Sequence, residues 1–77
     1  MKLVTIKYFK EKHQERIRFV RTLIDYQNEL GLKSAKDMLD NMLDGVPIKY
    51  QISDDTLADF TKELDALKLK YEVSYAF

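Results

Sequence analysis

The hydrophobic period of this chain alternates between two and about 3.6 residues along its length, and wherever it is two, only one parity is apolar. Val4, Ile6 and Tyr8 alternate with Thr5 and Lys7 inside Lys2–Phe9. Val46, Ile48, Tyr50 and Ile52 alternate with Lys49 and Gln51, and Tyr71, Val73, Tyr75 and Phe77 with Glu72 and Ser74. Strands apolar on one parity form a sheet with one covered face and one wet face. Helices then lie on one side only. Doubly wound folds, whose strands are apolar on both parities, are excluded.

Between these strands the period is helical. From about His13 to Asn28, Ile17, Val20, Leu23 and Ile24 form an apolar stripe that Phe19 and Tyr26 widen, with Arg18, Arg21, Asp25 and Asn28 opposite. Gly31 is expected to cap this helix in the left-handed conformation. A second helix follows at once, with Leu32, Ala35, Leu39, Met42 and Leu43 on its apolar side and Met38 beside them. Gly45 and Pro47 end it. Ser53 reads as the N-cap of a third helix, with Asp54 and Asp55 in its first turn and Leu57, Phe60, Leu64 and Leu67 on one face. The order β-α-α-β-α-β predicts a two-layer α+β domain with three helices packed on one face of a three-stranded sheet.

A chain of 77 residues is one domain near the small end of what folds unaided. With no cysteine, disulfides and thiolate metal sites are excluded. Lys7, Lys10 and Lys12 interrupt any signal-peptide core, and no apolar run approaches a membrane span, so the expectation is a cytoplasmic protein. The net charge of zero hides an asymmetry. Residues 1–36 carry nine Lys/Arg against four Asp/Glu, a net +5, and residues 37–77 carry four against nine, a net −5. Lys33 and Lys36 open the second helix while Asp40 and Asp44 close it, against the helix dipole.

The segment Leu30-Gly31-Leu32-Lys33-Ser34-Ala35-Lys36-Asp37-Met38-Leu39 closely resembles the L-G-L-K-E-A-K-D-L-V signature of the C-terminal domain of the bacterial ribosomal stalk protein, large-subunit protein seven/twelve. Arg16-Ile17-Arg18-Phe19-Val20-Arg21 resembles that family's K-V-x-V-I-K segment. Ser53, Asp55, Lys62, Leu64, Glu72 and Val73 fall where the family has the same residue. The resemblance covers about residues 16–74 and implies the same element order. It also implies capture of a translational GTPase by the basic face of the first two helices, here Arg21, Lys33 and Lys36, with Arg18 alongside. Ile24 and Asp25 stand where the family has an arginine, and Lys68 where it has a glycine. The family's N-terminal dimerisation domain and hinge have no counterpart in these residues, so the chain reads as a freestanding relative. The same fold occurs in adaptors of the Clp protease, but their acidic stretch after the first strand is replaced by the mostly basic Phe9-Lys10-Glu11-Lys12-His13.

Catalytic constellations are not found. His13 is the only histidine and has no partners for a triad or a metal site. Asp54 with Asp55 reads as helix-start charge, Asp37, Asp40 and Asp44 as a solvated face, and Met38 and Met42 as core filler. No phosphate-cradling loop is present. The expectation is a non-enzymatic domain without cofactor or metal that binds a protein through Arg18, Arg21, Lys33 and Lys36. The alternatives are nucleic-acid binding through that face with Lys10, Lys12 and Arg16, self-association through the last strand, and a Clp-adaptor-like module.

Overall fold

The computed structural model describes residues 1–12, 14–27 and 29–75. Along the chain run β1 (Lys2–Phe9), α1 (Arg16–Tyr26), α2 (Leu32–Leu43), β2 (Ile48–Ile52), α3 (Asp54–Ala66) and β3 (Leu69–Tyr75). The three strands form an antiparallel sheet of order β2-β1-β3, so β1 is central and both later strands are edges. The expected order and two-layer α+β arrangement are therefore present.

Register explains which residues reach the core. Val4 lies opposite Tyr50 on one side and Val73 on the other, and Ile6 opposite Ile48 and Tyr71. These positions face the helices, whereas Thr5, Lys49 and Glu72 share the open face. A shift in register between Ile6 and Tyr8 marks a β-bulge, after which Phe9, not Tyr8, is buried opposite Leu69. The alternation expected through Tyr8 breaks at that bulge, and Tyr8 is exposed on the open face.

The helices close over the sheet through a few large side chains. Phe19, Leu23, Phe60 and Leu64 are fully buried, and Ala35 lets α2 approach closely. Tyr50 stacks on Phe60 with ring centroids 4.9 Å apart, and its hydroxyl donates to the Leu23 carbonyl at 2.6 Å. Phe9 meets Phe19 edge-on at 5.7 Å. Thr22 is buried because its hydroxyl donates to the Arg18 carbonyl at 2.9 Å, one turn back.

Several local expectations are corrected. Helix α1 spans Arg16–Tyr26, shorter than the apolar stripe implied; its expected limits, His13 and Asn28, lie outside the described residues. Gly31 has φ −76° and ψ 162° and is the N-cap of α2, not a left-handed cap of α1. Extended Gln27, with φ −143°, ends α1 instead. Gly45 does adopt positive φ, at 90°, as the end of α2 requires. Ser53 occupies the N-cap position of α3, but its side chain meets the Thr56 hydroxyl at 3.0 Å and makes no capping bond to the backbone. Val46 lies before β2 and is exposed, and Phe77 is outside the described residues.

Burial pushes the Tyr50 phenol well above its ordinary value of 10.0. A raised folded-state value means that the unfolded chain releases the proton first, so stability is full below pH 10 and falls as pH rises beyond it. Tyr50→Phe is expected to cost about 1–2 kcal/mol at neutral pH by leaving the Leu23 carbonyl unpaired. It should also remove a slope of up to about 1.4 kcal/mol per pH unit from the alkaline limb. Urea titrations of both chains from pH 8 to 11.5 check this, and parallel alkaline limbs would exclude Tyr50 as the group responsible.

Candidate functional site

The most unusual feature of the helical layer is an isoleucine left in water. Ile17 lies in the first turn of α1 and is 81% exposed, and Leu32, at the start of α2, is 56% exposed. Both were expected in the buried stripes. Exposure follows from the direction of α1: Phe19, Val20 and Leu23 point into the core, and Ile17 falls on the flank toward α2, above which no element of the described residues passes. Leaving an isoleucine exposed forgoes about 1.5–3 kcal/mol of burial energy.

Ile17 and Leu32 line a groove of about 410 Å³ between α1 and α2, floored by Val20 and Leu39 and rimmed by Arg16, Arg21, Lys36 and Asp40. The rim carries three cations and one carboxylate. Helical spacing builds it, because Arg16, Ile17, Val20 and Arg21 are one turn apart on α1, as are Leu32, Lys36 and Asp40 on α2. The lining offers an apolar surface, and the rim, with three cations against one carboxylate, supplies a net positive field. That combination holds an apolar anchor set among acidic groups.

The four expected binding residues divide. Arg21 and Lys36 face each other across the groove. Lys33 is exposed near the start of α2 and is not a lining residue. Arg18 is turned the other way: it meets Glu63 of α3 at 3.2 Å and Glu15 at 3.6 Å, so its charge is compensated within the domain. Arg16 belongs to the rim although its side chain also bonds Gln14 at 2.7 and 2.9 Å. Asp25 lines a neighbouring cleft on the α3 side with Arg18, Tyr26 and Glu63, which Arg16, Ile17 and Arg21 of the groove also border. Nearby carboxylates act there too. The Tyr26 phenol is raised first by burial and then by the charges of Asp59, Glu63 and Asp25.

The sequence reasoning missed Ile17 and Leu32 as site residues. Both continued a helical apolar period, and only the placement of neighbouring elements separates an apolar residue that is covered from one that is not. Among the described residues, no group of three or more His, Asp or Glu side chains gathers at metal-binding distance. Among the described residues, no helix is long and apolar enough to cross a membrane.

Fold and groove together define a small α+β domain with an open, basic-rimmed apolar groove on its helical layer. No family model matches the chain, and no curated protein or solved structure matches it.

The two α1 residues that the sequence grouped together should separate on mutation. Ile17→Ser is expected to change stability by less than about 0.5 kcal/mol. Phe19→Ala is expected to cost about 3–5 kcal/mol, enough to bring a domain of this size close to unfolding. Chemical denaturation of the two variants tests this, and a cost of several kcal/mol for Ile17→Ser would show that Ile17 is covered in solution.

Proposed function

We propose that this chain is a non-enzymatic protein-binding module, similar to the ribosomal stalk C-terminal domain, that docks a translation-associated factor through the α1–α2 groove. The observation that carries this reading is the exposed Ile17 and Leu32 set between Arg21 and Lys36. The Leu30–Leu39 segment, on which the stalk likeness mainly rests, supplies Leu32, Lys36 and Leu39 to the groove. An acidic partner surface with one or two apolar side chains fits it. Long-range attraction speeds encounter, and the small apolar floor keeps the contact short-lived.

An amide-resolved NMR titration with a translational GTPase tests the proposal. Shifts are expected on α1 and α2, and Arg21→Glu with Lys36→Glu should weaken binding by about tenfold or more, with a steep salt dependence. Arg18→Ala should have little effect, because Arg18 is already paired with Glu63. If the shifts lie elsewhere, or are absent, the stalk-like docking is lost and the partner must be sought without reference to translation.

A second reading, self-association, is favoured by β3. It is an edge strand, paired with β1 on one side only, on which Val73 and Tyr75 are 43% and 70% exposed although they are on the helix-facing parity. The other edge, β2, is shorter and follows Pro47. Sedimentation should then show a concentration-dependent dimer that Val73→Lys abolishes. A monomer at every concentration would end this reading.

A further inference from the structure

A second charged surface lies on the opposite layer, where β1 ends and β3 begins. Tyr8 is opposite Lys70 in the sheet, and the Lys10 amide donates to the Lys68 carbonyl at 2.7 Å. Lys7 and Lys12 flank them along the chain. Lys7, Lys10, Lys68 and Lys70 thus gather at one end of the sheet, and Lys12 follows two residues after Lys10 along the chain. The nearby carboxylates are Glu11, Asp65 and Glu72: Lys7 holds Glu72 at 2.8 Å with Lys70 also near it, and Asp65 accepts from the Tyr71 hydroxyl at 3.0 Å. Lys10, Lys12, Lys68 and Lys70 are exposed, and among the described residues none of the four is paired with a carboxylate.

Two features of this patch work against the domain's own stability. Like charges on facing strand ends repel, yet Lys10 and Lys68 are neighbours across the β1–β3 ladder. Lys68 also has φ 59°, in the left-handed region where a side chain is strained and glycine is not. Residues 37–77 have only four cations to set against nine acids, and two of those four, Lys68 and Lys70, are placed beside the lysines of β1. Local rules broken together at one place mark a surface kept for something other than folding.

The bulge in β1 adds an aromatic ring. It leaves Phe9 buried and Tyr8 52% exposed on the open face of the sheet, between Lys7 and Lys70. An exposed ring beside exposed lysines suits a ligand that alternates flat apolar surfaces with negative charges. We propose that this end of the sheet binds single-stranded nucleic acid, with one base stacked on Tyr8 and about four phosphates held by Lys10, Lys12, Lys68 and Lys70. A duplex keeps its bases stacked inside and offers Tyr8 no partner. Neither the ring nor the lysines read the sugar, so RNA and DNA strands bind alike. The site is independent of the α1–α2 groove.

Fluorescence anisotropy of labelled oligouridylate and oligothymidylate of about twelve nucleotides tests the proposal. The two strands are expected to bind within a factor of two of each other. Affinity should fall roughly fiftyfold between about 50 and 200 mM salt, the slope for four phosphates on a single strand. Lys10→Gln with Lys70→Gln should reduce that logarithmic slope by about 1.4. Tyr8→Ala should weaken binding about tenfold and leave the slope unchanged. Lys68→Gly is the most discriminating variant, since it should weaken binding while raising the thermal midpoint. Arg21→Glu with Lys36→Glu should leave oligonucleotide binding within a factor of two, which separates this site from the groove.

Absence of saturable binding at low salt would overturn the proposal, as would Tyr8→Ala or Lys68→Gly chains that bind like the parent. Loss of binding in the Arg21→Glu/Lys36→Glu chain alone would assign nucleic acid to the helices instead. Phosphatidylglycerol vesicles bound in place of both oligonucleotides would assign the lysines to a membrane surface and equally overturn it.

Discussion

The Tyr50 side chain ties β2 and α3, which follow one another in sequence, to the distant α1. It rises from the middle of β2, stacks on Phe60 of α3 and donates its hydroxyl to the Leu23 carbonyl of α1. That carbonyl belongs to the last turn of α1, where backbone acceptors have no partner further along the helix. Without the phenol it would be buried against the sheet unpaired. Tyr26 adds an edge-on contact to Phe60 at 5.2 Å, so the end of α1 is held from two sides. At its other end Phe19 rests on Phe9 of β1. Pinned at both ends, α1 has little freedom to roll about its axis. This is why Ile17 and Arg21 stay on the flank that faces α2 and Arg18 on the flank that faces α3.

Much of the fold was legible because strand parity is a strict signal. Polar Thr5, Lys49, Gln51, Glu72 and Ser74 each occupy alternate positions, which leaves one face for helices, and the structure has that layering. The errors arose where a residue's fate depends on what lies above it. Ile17 and Val20 have the same place in the helical period, but only Val20 is buried. Val73 and Tyr75 continue the buried parity of β3 past the point where α3 covers it. By sequence Gly31 suits a left-handed cap, yet the turn that ends α1 comes earlier, at Gln27, and Gly31 is an extended N-cap that needs no glycine geometry. Of the candidate site, the cations Arg21 and Lys36 were readable from charge and spacing. The apolar floor was not, because exposure is a property of packing.

Charge, too, is organised by the fold and not by the chain halves. The basic and acidic halves interleave, and Arg18 with Glu63 and Lys7 with Glu72 use part of the asymmetry as contacts between them. Such exposed pairs contribute at most about 1 kcal/mol each. Their larger effect is to decide which cations remain available. Arg21 and Lys36, with Lys33 and Lys62, remain on the helices, and Lys10, Lys68 and Lys70 at the end of the sheet. The two groups lie on opposite layers, so a partner on one need not displace a partner on the other.

Both surfaces carry residues that a sequence selected only for stability would replace. An exposed Ile17 gains nothing from burial, and Lys68 holds a strained backbone angle beside another lysine. A domain of 77 residues has roughly 4–11 kcal/mol of total stability, so departures costing about 1 kcal/mol each are a sizeable fraction of it. They are tolerable because the aromatic cluster around Tyr50 lies in the interior between the two surfaces and contributes its packing independently of either. Stability is concentrated in the middle layer of contacts, and the residues open to partners sit outside it. That separation lets a very small domain keep a rigid frame while leaving apolar and basic side chains exposed on both sides.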